Sequence, residues 1–414
     1  MSAFSIPLSG LAASSDSLNV IANNLANLNT DGYKDESLSF ADVFNQMQGV
    51  SGNGDPIQIG SGVETAGETS NFTNGTVTST GIASNMALQG NGFFVVQSDT
   101  NNQITYTRDG DFTVNSQGQL STATGQLVMG YPAVDGVVST SSALAPIDVN
   151  QAANIPAVAT TSFSMDTNLD AGAAAGDQFS TPVTVYDTLG TSHTLTATFT
   201  NSGANTWSYN VTIPSADVNG TGTSQSVATG TLTFDADGNL TSPTGPITGI
   251  NISGLADGAS PMTLTWNLSG ANGASTITQQ DATSATSSTS QNGYGVGTLT
   301  GYSVLSDGTV QGQFSNSQTM ALGQVAVANF ANVQGLTQMG NNDYEATFAS
   351  GTPNVGTAGS GANGTITGGA VEESNVNLST EFANMIVAQQ GYEANAKVLT
   401  TMDQVSQATI QLIS

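Results

Sequence analysis

The chain has 414 residues, which suggests about two to four domains at roughly 150 residues each, and its 30 acidic and 3 basic residues give a formal net charge of −27. Three cations are too few for the basic surface that binds nucleic acids or anionic membranes, so the sequence excludes both partners. Cysteine is absent and histidine occurs once, which excludes disulfides, thiolate catalysis and cysteine-based metal sites.

The N-terminal segment from Ala3 to about Asn29 has the periodicity of an amphipathic helix. Its large apolar residues recur at intervals of three, four and seven, which places them on one stripe. The stripe consists of Leu8, Leu11, Leu18, Ile21, Leu25 and Leu28. The segment lacks the basic region and continuous apolar run of a cleaved secretory signal. We therefore expect a helix that packs on other helices, and another export route if the protein leaves the cell.

The long middle of the chain is predicted to be all β. Short runs of alternating apolar and polar residues are separated by Asp-Gly and Asn-Gly turns. The pattern is strongest between residues 183 and 268, where alternation places Trp207, Tyr209 and Trp266 on the buried side of their strands. Short strands at this spacing are typical of β-sandwiches and barrels.

Three changes in composition indicate boundaries. The segments 48–67 and 271–297 are weakly patterned, and 351–369 contains seven glycines, which predicts a flexible return to the C-terminus. The predicted division has four parts, each except the last made of two chain segments. They are a terminal helical domain (1–30 plus 375–414), connecting linkers (31–70 plus 350–374), an inner β domain (71–145 plus 285–349) and an outer β domain (146–284).

The C-terminal segment from Leu378 to Ile413 repeats the helical pattern at near-heptad intervals. Its stripe consists of Leu378, Phe382, Met385, Tyr392, Leu399, Val405 and Ile410. Because no other segment is helical in period, we expect the two terminal helices to pair as a coiled coil. The predicted fold class is therefore mostly β, with two discontinuous sandwich-like or barrel-like domains inserted between paired terminal helices.

The chain offers little chemistry for catalysis or cofactor binding. His193 follows Asp187 by six residues, but a turn leading into a strand explains this spacing more simply than a catalytic pair. Residues 235–238 resemble part of a calcium loop, yet Thr233 and Thr244 stand where that loop needs carboxylates, so a hairpin turn is favoured. We predict no catalytic residue, no cofactor and no metal ligand.

Three segments together resemble the axial proteins of the bacterial flagellum, the rod and hook family. They are residues 9–34, residues 88–120 and residues 374–395, in the order that the family has. The positions that carry the family's signature are Asn23, Asn24, Asn27, Asn29, Thr30, Gly32, Tyr33, Gly90, Gly92, Phe93, Phe94, Asn375, Gln389 and Tyr392. Within this family, the chain's length and the extra β region at 146–284 favour the hook members over the shorter rod members.

The resemblance implies a structural subunit without a cofactor, which polymerises into a flexible curved tube that passes torque from rod to filament. The implied partners are further copies of the chain, a rod protein at the proximal end and a hook–filament junction protein at the distal end. A hook cap and the flagellar export apparatus would act during assembly. The implied location is extracellular, within the flagellum, with the terminal helices forming the inner tube and 146–284 lying outermost.

Two alternatives remain at this stage, and an enzyme is less favoured than either. The first is a distal-rod-like or other axial component of the flagellum, which would differ in the 146–284 region. The second is a secreted adhesive or carbohydrate-binding β-sandwich protein. That function requires an exposed aromatic cluster, and the alternation around Trp207 predicts buried aromatic side chains instead.

Overall fold

The computed structural model describes residues 4–43, 46–50, 56–270 and 273–413. The chain divides into two compact units, the first formed by 1–151, 301–312 and 319–414 and the second by 152–300 and 313–318. The boundary at 300/301 falls within strand Gly297–Val304, and the boundary at 312/313 falls within strand Thr309–Phe314. Neither α-helix in the described ranges combines the length and apolarity of a membrane span.

The first unit contains both described α-helices, α1 at Ser5–Ala26 and α2 at Leu378–Ile413. The α2 bounds match the predicted segment, whereas α1 ends three residues before the predicted Asn29. Polar side chains explain the earlier end: Asn27 donates to the Asn23 carbonyl at 3.0 Å, and Thr30 donates to the Asn27 side chain at 3.1 Å. Leu28 therefore lies in the turn after α1, and its placement on the helix was wrong.

The strands of the first unit are mostly short and antiparallel. The main sheet contains, in spatial order, Thr319–Asn329, Leu127–Val134, Phe93–Gln97, Ile104–Thr107, Asp343–Glu345 and Thr337–Gly340. The remaining strands are Glu36–Asp42, Gln46–Val50, Pro56–Ile59, Val63–Ser70, Val77–Ser79, Met86–Gln89, Thr113–Val114, Leu120–Ser121, Val137–Val138, Ala145–Pro146, Asn354–Thr357, Thr365–Gly368 and Ala370–Glu372. A buried aromatic cluster around Phe93, Tyr106, Phe330 and Tyr344 packs on this sheet.

The glycine-rich segment 351–369 is structured, so the prediction of a flexible return was wrong. Asn354–Thr357 pairs with Thr319–Asn329, and Thr365–Gly368 pairs with Met86–Gln89. Gly359 and Gly361 have φ values of 71° and 62°, so the glycines allow the tight turn between these strands. The backbone hydrogen bonds of these two strands give the segment a regular structure that its glycine-rich composition does not indicate.

The second unit is a β-sandwich, as the alternation predicted. One five-stranded sheet contains Ser162–Asp170, Ile247–Ile252, Met262–Asn267, Ile277–Gln280 and Ala285–Gln291, and the other contains Gln178–Tyr186, Ser192–Gly203, Thr206–Pro214, Ser224–Phe234 and Leu240–Ser242. A further short strand is Asn154–Ile155. Both sheets contribute to one core, in which Trp207, Tyr209 and Trp266 are buried. Their burial removes the exposed aromatic cluster that carbohydrate binding would need.

The weakly patterned segment 271–297 also contains two strands of this sandwich, Ile277–Gln280 and Ala285–Gln291. Ala285–Gln291 pairs antiparallel with Ser162–Asp170. Hydroxyl pairs connect the two strands, with Ser164 to Ser290 at 2.8 Å and Thr167 to Thr286 at 3.0 Å. Because these contacts are polar, the apolar alternation that reveals a strand is missing there. Residues 271–272 of the segment lie outside the described residues.

Candidate assembly surface and its anchor

The two terminal helices pack against each other in antiparallel orientation. Gly10 of α1 lies opposite Asn395 of α2, and Ser14 lies opposite Gly391. A Cβ atom on Gly10 would lie 2.8 Å from Asn395 Nδ2, and one on Gly391 would lie 3.2 Å from Ser14 Oγ. The absence of side chains at both glycines therefore allows the helices to approach closely. The predicted pairing of the terminal helices is confirmed.

This pairing buries few of the apolar residues on the predicted stripes. In α1, Ile21 is buried at 7% exposure, Leu11, Leu18 and Leu25 are half-buried, and Leu8 is exposed. Leu28, beyond the helix, is half-buried. In α2, Met385 and Leu399 are half-buried, whereas the other stripe residues are exposed, namely Leu378, Phe382, Tyr392, Val405 and Ile410. The helix pair thus satisfies only part of its own apolar surface.

The face of α2 that points away from α1 is also apolar. Phe382 precedes Gly391 by nine residues and Ile386 precedes Asn395 by nine, which is about two and a half turns at 3.6 residues per turn. Phe382 and Ile386 therefore lie on the face opposite the α1 contact, and their exposed fractions are 50% and 55%. We call this pair the outer face of α2. Ile386 is not on the predicted stripe, because that stripe follows a single apolar face of the helix.

The end of α1 is attached to the following strand by Asn24, which is 1% exposed. Its amide nitrogen donates to the Glu36 carbonyl at 2.8 Å, and its Oδ1 accepts from the Glu36 N–H at 3.0 Å and the Tyr33 hydroxyl at 3.1 Å. Asn23 donates to the same hydroxyl at 3.3 Å. Burial raises the pKa of Tyr33 well above its usual range, so it remains a hydroxyl donor. These signature residues therefore hold the helix end in place.

A second attachment joins the segment after α1 to the segment before α2. Gly32 has φ 70°, and its N–H donates to the Glu372 carbonyl at 2.7 Å. A Cβ at Gly32 would lie 2.5 Å from the backbone nitrogen of Asp109, so only glycine fits. Asn375 accepts from the Asp35 N–H at 2.8 Å and donates to the Asn71 carbonyl at 2.8 Å. Both signature positions thus tie the chain's two ends together.

A buried charge cluster lies between these attachments. Lys34 Nζ is 2.6 Å from Glu372 Oε1, and Arg108 Nη1 is 3.5 Å from Glu372 Oε2. The Gly75 N–H also donates to Glu372 Oε1, at 2.8 Å. Burial lowers the pKa of Lys34, and the Glu372 carboxylate opposes that shift. We call Lys34, Arg108 and Glu372 the anchor, since they connect segments more than 260 residues apart.

The sequence analysis missed the anchor, although one signal pointed to it. The chain has only three basic residues, and the anchor takes Lys34 and Arg108, while Lys397 is exposed on α2. Burying two of three cations requires a carboxylate partner, because an unpaired buried charge costs several kcal/mol. That reasoning predicts a buried acid, but it does not choose Glu372 among the 30 acidic residues.

The signature segment 88–120 also contacts the anchor. The Gly90 carbonyl accepts from Arg108 Nη2 at 2.7 Å, and the Arg108 guanidinium lies 5.3 Å from the centre of the Phe93 ring. Gly92 has φ 123°, and a Cβ there would lie 2.5 Å from Val327 Cγ1. Phe94 is buried and packs edge-on against Phe112 at 5.2 Å. Gly90 and Phe93 thus contact the buried guanidinium directly, whereas Gly92 and Phe94 pack in the surrounding core.

The candidates that the sequence analysis set aside lie in the second unit. Asp235 Oδ1 accepts from the N–H groups of Asp237 and Asn239 at 2.9 and 2.8 Å, so the predicted hairpin turn is confirmed. His193 contacts two carboxylates, Asp187 at 3.1 Å and Asp217 at 3.2 Å. The spacing in the sequence indicated Asp187 as a neighbour of His193, whereas Asp217 lies in a separate segment, the 3-10 helix Ser215–Val218.

Comparisons with known families cover both ends and the middle of the chain. Residues 6–34 match "Flagella basal body rod protein" and 87–168 match "Flagellar hook protein FlgE/F/G D1 domain". Residues 150–294 match "Flagellar basal body protein FlaE D2 domain", and 367–412 match "Flagellar basal body rod FlgEFG protein C-terminal". These families are structural and not enzymatic.

Curated relatives match along nearly the full length. The flagellar hook protein FlgE of Escherichia coli (strain K12) is 37% identical, covering 99% of this chain and 100% of its own. The protein of the same name from Treponema pallidum (strain Nichols) is 31% identical, covering 98% of each. The crystal structure of Helicobacter pylori flagellar hook protein FlgE2 aligns with TM-score 0.51 and 16% identity, covering 70% of this chain and 98% of that one. That structure is a likeness of fold alone.

Proposed function

The chain belongs to the flagellar hook protein family and is a structural subunit of the flagellar hook, and we propose that it polymerises through its terminal helices. The observation that carries this proposal is the outer face of α2. Phe382 and Ile386 are large, apolar and exposed, and they lie opposite the face that α1 covers. Helices of neighbouring copies would cover this face in the polymer.

Burial of the exposed apolar side chains of α2 favours contacts between copies. Fully burying a large apolar side chain contributes about 1.5–3 kcal/mol. The outer face, Tyr392 and Val405 are already about half covered in the monomer, so burying the rest of these four side chains would contribute on the order of 3–6 kcal/mol per subunit. Ordering helix residues costs about 1–2 kcal/mol each. The helix pair buries too little apolar surface to offset that cost alone, whereas contacts with several neighbours add burial without further ordering.

The anchor gives the polymer a mechanical connection. In the proposed arrangement, force reaches the helices from neighbouring copies and passes to the β-strands through the segments before and after them. Lys34 and Glu372 join those two segments directly, and Asn24 joins α1 to its strand. A buried, hydrogen-bonded ion pair resists separation because pulling it apart leaves an uncompensated charge. The helices and strands would therefore move together.

We extend the proposal to partners and placement along the tube. The rod protein would contact the proximal end, the hook–filament junction protein the distal end, and the hook cap and flagellar export apparatus would act during assembly. The location would be extracellular, reached without a cleaved secretory signal. The helical parts at 1–30 and 375–414 would line the inner tube, and 146–284 would lie outermost, where sliding contacts permit the tube to bend. The family relationship and the surface rich in Ser, Thr, Asn and Gly support this arrangement.

The test is a charge placed on the outer face. Phe382→Asp should leave a folded monomer but prevent tube formation, because an unpaired carboxylate in a desolvated interface costs several kcal/mol per subunit. Val137→Asp is the matched control, since Val137 is 70% exposed in the same unit but lies in the short strand Val137–Val138 and not on a terminal helix. Circular dichroism verifies folding, and electron micrographs show whether tubes form. Normal tubes from Phe382→Asp would contradict the proposal.

A further inference from the structure

The second unit holds a group of potential metal ligands around the chain's single histidine. Asp187 is fully buried and His193 is 4% exposed, at the turn that leads into strand Ser192–Gly203. His193 Nε2 lies 3.1 Å from Asp187 Oδ2. The other Asp187 oxygen accepts from the N–H groups of Leu189 and Thr191 at 2.8 and 2.9 Å, which holds the carboxylate in position.

A third potential ligand comes from a distant loop. Asp257 lies between strands Ile247–Ile252 and Met262–Asn267, and its side chain accepts from the Ala259 N–H at 3.0 Å. One ligand atom each from Asp187, His193 and Asp257 lies within 4.8 Å of the others. Two ligands of a tetrahedral zinc ion, each about 2.0–2.2 Å from the metal, are separated by about 3.3–3.6 Å. Asp187 and His193 are already at about this separation, and Asp257 would have to approach them by no more than about 1.5 Å.

The remaining imidazole nitrogen has the partner that metal-bound histidines require. His193 Nδ1 lies 3.2 Å from Asp217 Oδ2, on the side away from Asp187. A ligating histidine usually donates its second N–H to a carboxylate or carbonyl, which fixes the tautomer and strengthens the metal bond. Asp217 can accept that hydrogen bond, so a metal ion that displaces the Nε2 proton would find the Nε2 lone pair directed toward Asp187.

The charges around the site also favour a bound cation. The basic residues of the chain are Lys34, Arg108 and Lys397, so residues 152–300 and 313–318 contain neither Lys nor Arg. Three aspartates nevertheless meet at one imidazole. A proton shared by the imidazole compensates a single charge, whereas a divalent ion would compensate two and could be held by Asp187 and Asp257 together.

We propose that Asp187, His193 and Asp257 form a site for a divalent transition metal, with Asp217 as the positioning residue. One nitrogen and two carboxylate ligands suit Zn²⁺ or Mn²⁺, and imidazole is a poor ligand for Mg²⁺ or Ca²⁺. The metal would connect the 187–193 turn to the 253–260 loop. The N–H of Ser260 already donates to Thr188 Oγ1 at 3.1 Å, so the two segments are in contact without it.

The test uses the full chain and Zn²⁺ alone. Trp207 and Trp266 are the chain's two tryptophans and both are buried in the second unit, so tryptophan emission during heating reports this unit's unfolding. We expect calorimetry to show one saturable Zn²⁺ site and Zn²⁺ to raise the unfolding midpoint, with a much smaller effect of Mg²⁺. The single histidine also gives one imidazole Cε1–H signal, which Zn²⁺ should shift.

Variants separate this site from general attraction to an acidic surface. Asp257→Asn removes an exposed ligand without disturbing the core and should weaken Zn²⁺ binding at least tenfold. His193→Gln should abolish it, and Asp217→Asn should weaken it about tenfold to a hundredfold while changing the imidazole tautomer. Asp235→Asn, on an exposed hairpin in the same unit, is the control and should bind as the parent does. Equal affinity in all variants, no saturable binding, or an unmoved imidazole signal would overturn the proposal.

Discussion

The second unit and the terminal helices use apolar residues in opposite ways. In the sandwich, the largest side chains are enclosed, with Trp207 1% exposed and Trp266 fully buried. In α2, Phe382 and Ile386 are about half exposed, although the helix already has a partner in α1. The comparison teaches that the sandwich satisfies its own hydrophobic surface, whereas the helices need other copies of the chain to satisfy theirs.

The largest expected loss of stability comes from removing a charge in the anchor. It tests whether the anchor stabilises the first unit as the apolar core stabilises the sandwich. Glu372→Gln should lower the free energy of unfolding of the first unit by about 3–5 kcal/mol, because Lys34 and Arg108 would remain buried without a carboxylate. Denaturant unfolding, followed by hydrogen exchange of strand Phe93–Gln97, measures this change. The neighbouring Glu373→Gln is the control, since Glu373 is exposed. Equal effects of the two variants would show that the anchor adds no stability.

A similarly large effect is expected from a cavity in the sandwich. Leu264→Ala removes a fully buried side chain and should destabilise the second unit by about 2–5 kcal/mol. Tryptophan emission in a denaturant titration measures the loss. Val296→Ala, at a position 56% exposed in the same unit, should change the free energy by less than about 0.5 kcal/mol. A small effect of Leu264→Ala would mean that the sandwich core is loosely packed.

A smaller effect concerns pH near the anchor. Burial raises the pKa of Asp109 to about 6, and the nearby carboxylates of Asp111 and Asp31 add to the shift. Its unfolded pKa is near 4, so the folded state holds the proton more tightly and the first unit loses stability as pH rises from about 4 to about 6. Asp109→Asn should remove this loss and stabilise the unit by about 1–3 kcal/mol at pH 7. An unchanged pH profile of unfolding would contradict the assigned shift.

The smallest effect on the stability of the monomer is expected at the outer face of α2, which the rest of the described subunit leaves partly uncovered. Phe382→Ala should change the unfolding free energy of the monomer by less than about 0.5 kcal/mol, because the side chain is half exposed there. In the polymer the same truncation should raise the concentration needed for assembly, which sedimentation of the tubes measures. Destabilisation of the monomer by more than 2 kcal/mol would show that Phe382 is already packed within the subunit.

Much of the fold could be predicted from the sequence, because regular alternation reflects alternating burial. Trp207, Tyr209 and Trp266 were placed in the core on that ground, and the helical stripes located both terminal helices. The strand Ala285–Gln291 was missed, since hydroxyl pairs replace the apolar signal there. The strand Asn354–Thr357 was missed because its order comes from backbone pairing.

Less of the candidate site could be predicted, because its contacts join distant positions. Lys34 and Glu372 are 338 residues apart. Patterns of neighbouring residues cannot indicate a contact between positions so far apart in the sequence. The signature residue Asn24 was placed by resemblance, but its hydrogen bonds to Glu36 required the structure. The outer face of α2 was missed in part, since Ile386 lies off the single apolar stripe that the near-heptad spacing indicates, whereas Phe382 lies on it.

Hydrogen exchange on the monomer and the assembled tube tests the central claim most directly. If the terminal helices depend on other copies, the amides of α2 should exchange much more slowly in the tube than in the monomer. Amides of the sandwich strands Ser192–Gly203 and Thr206–Pro214 should exchange at similar, slow rates in both states. Equal protection of α2 in monomer and tube would contradict the account, because the helices would then be stable without their neighbours.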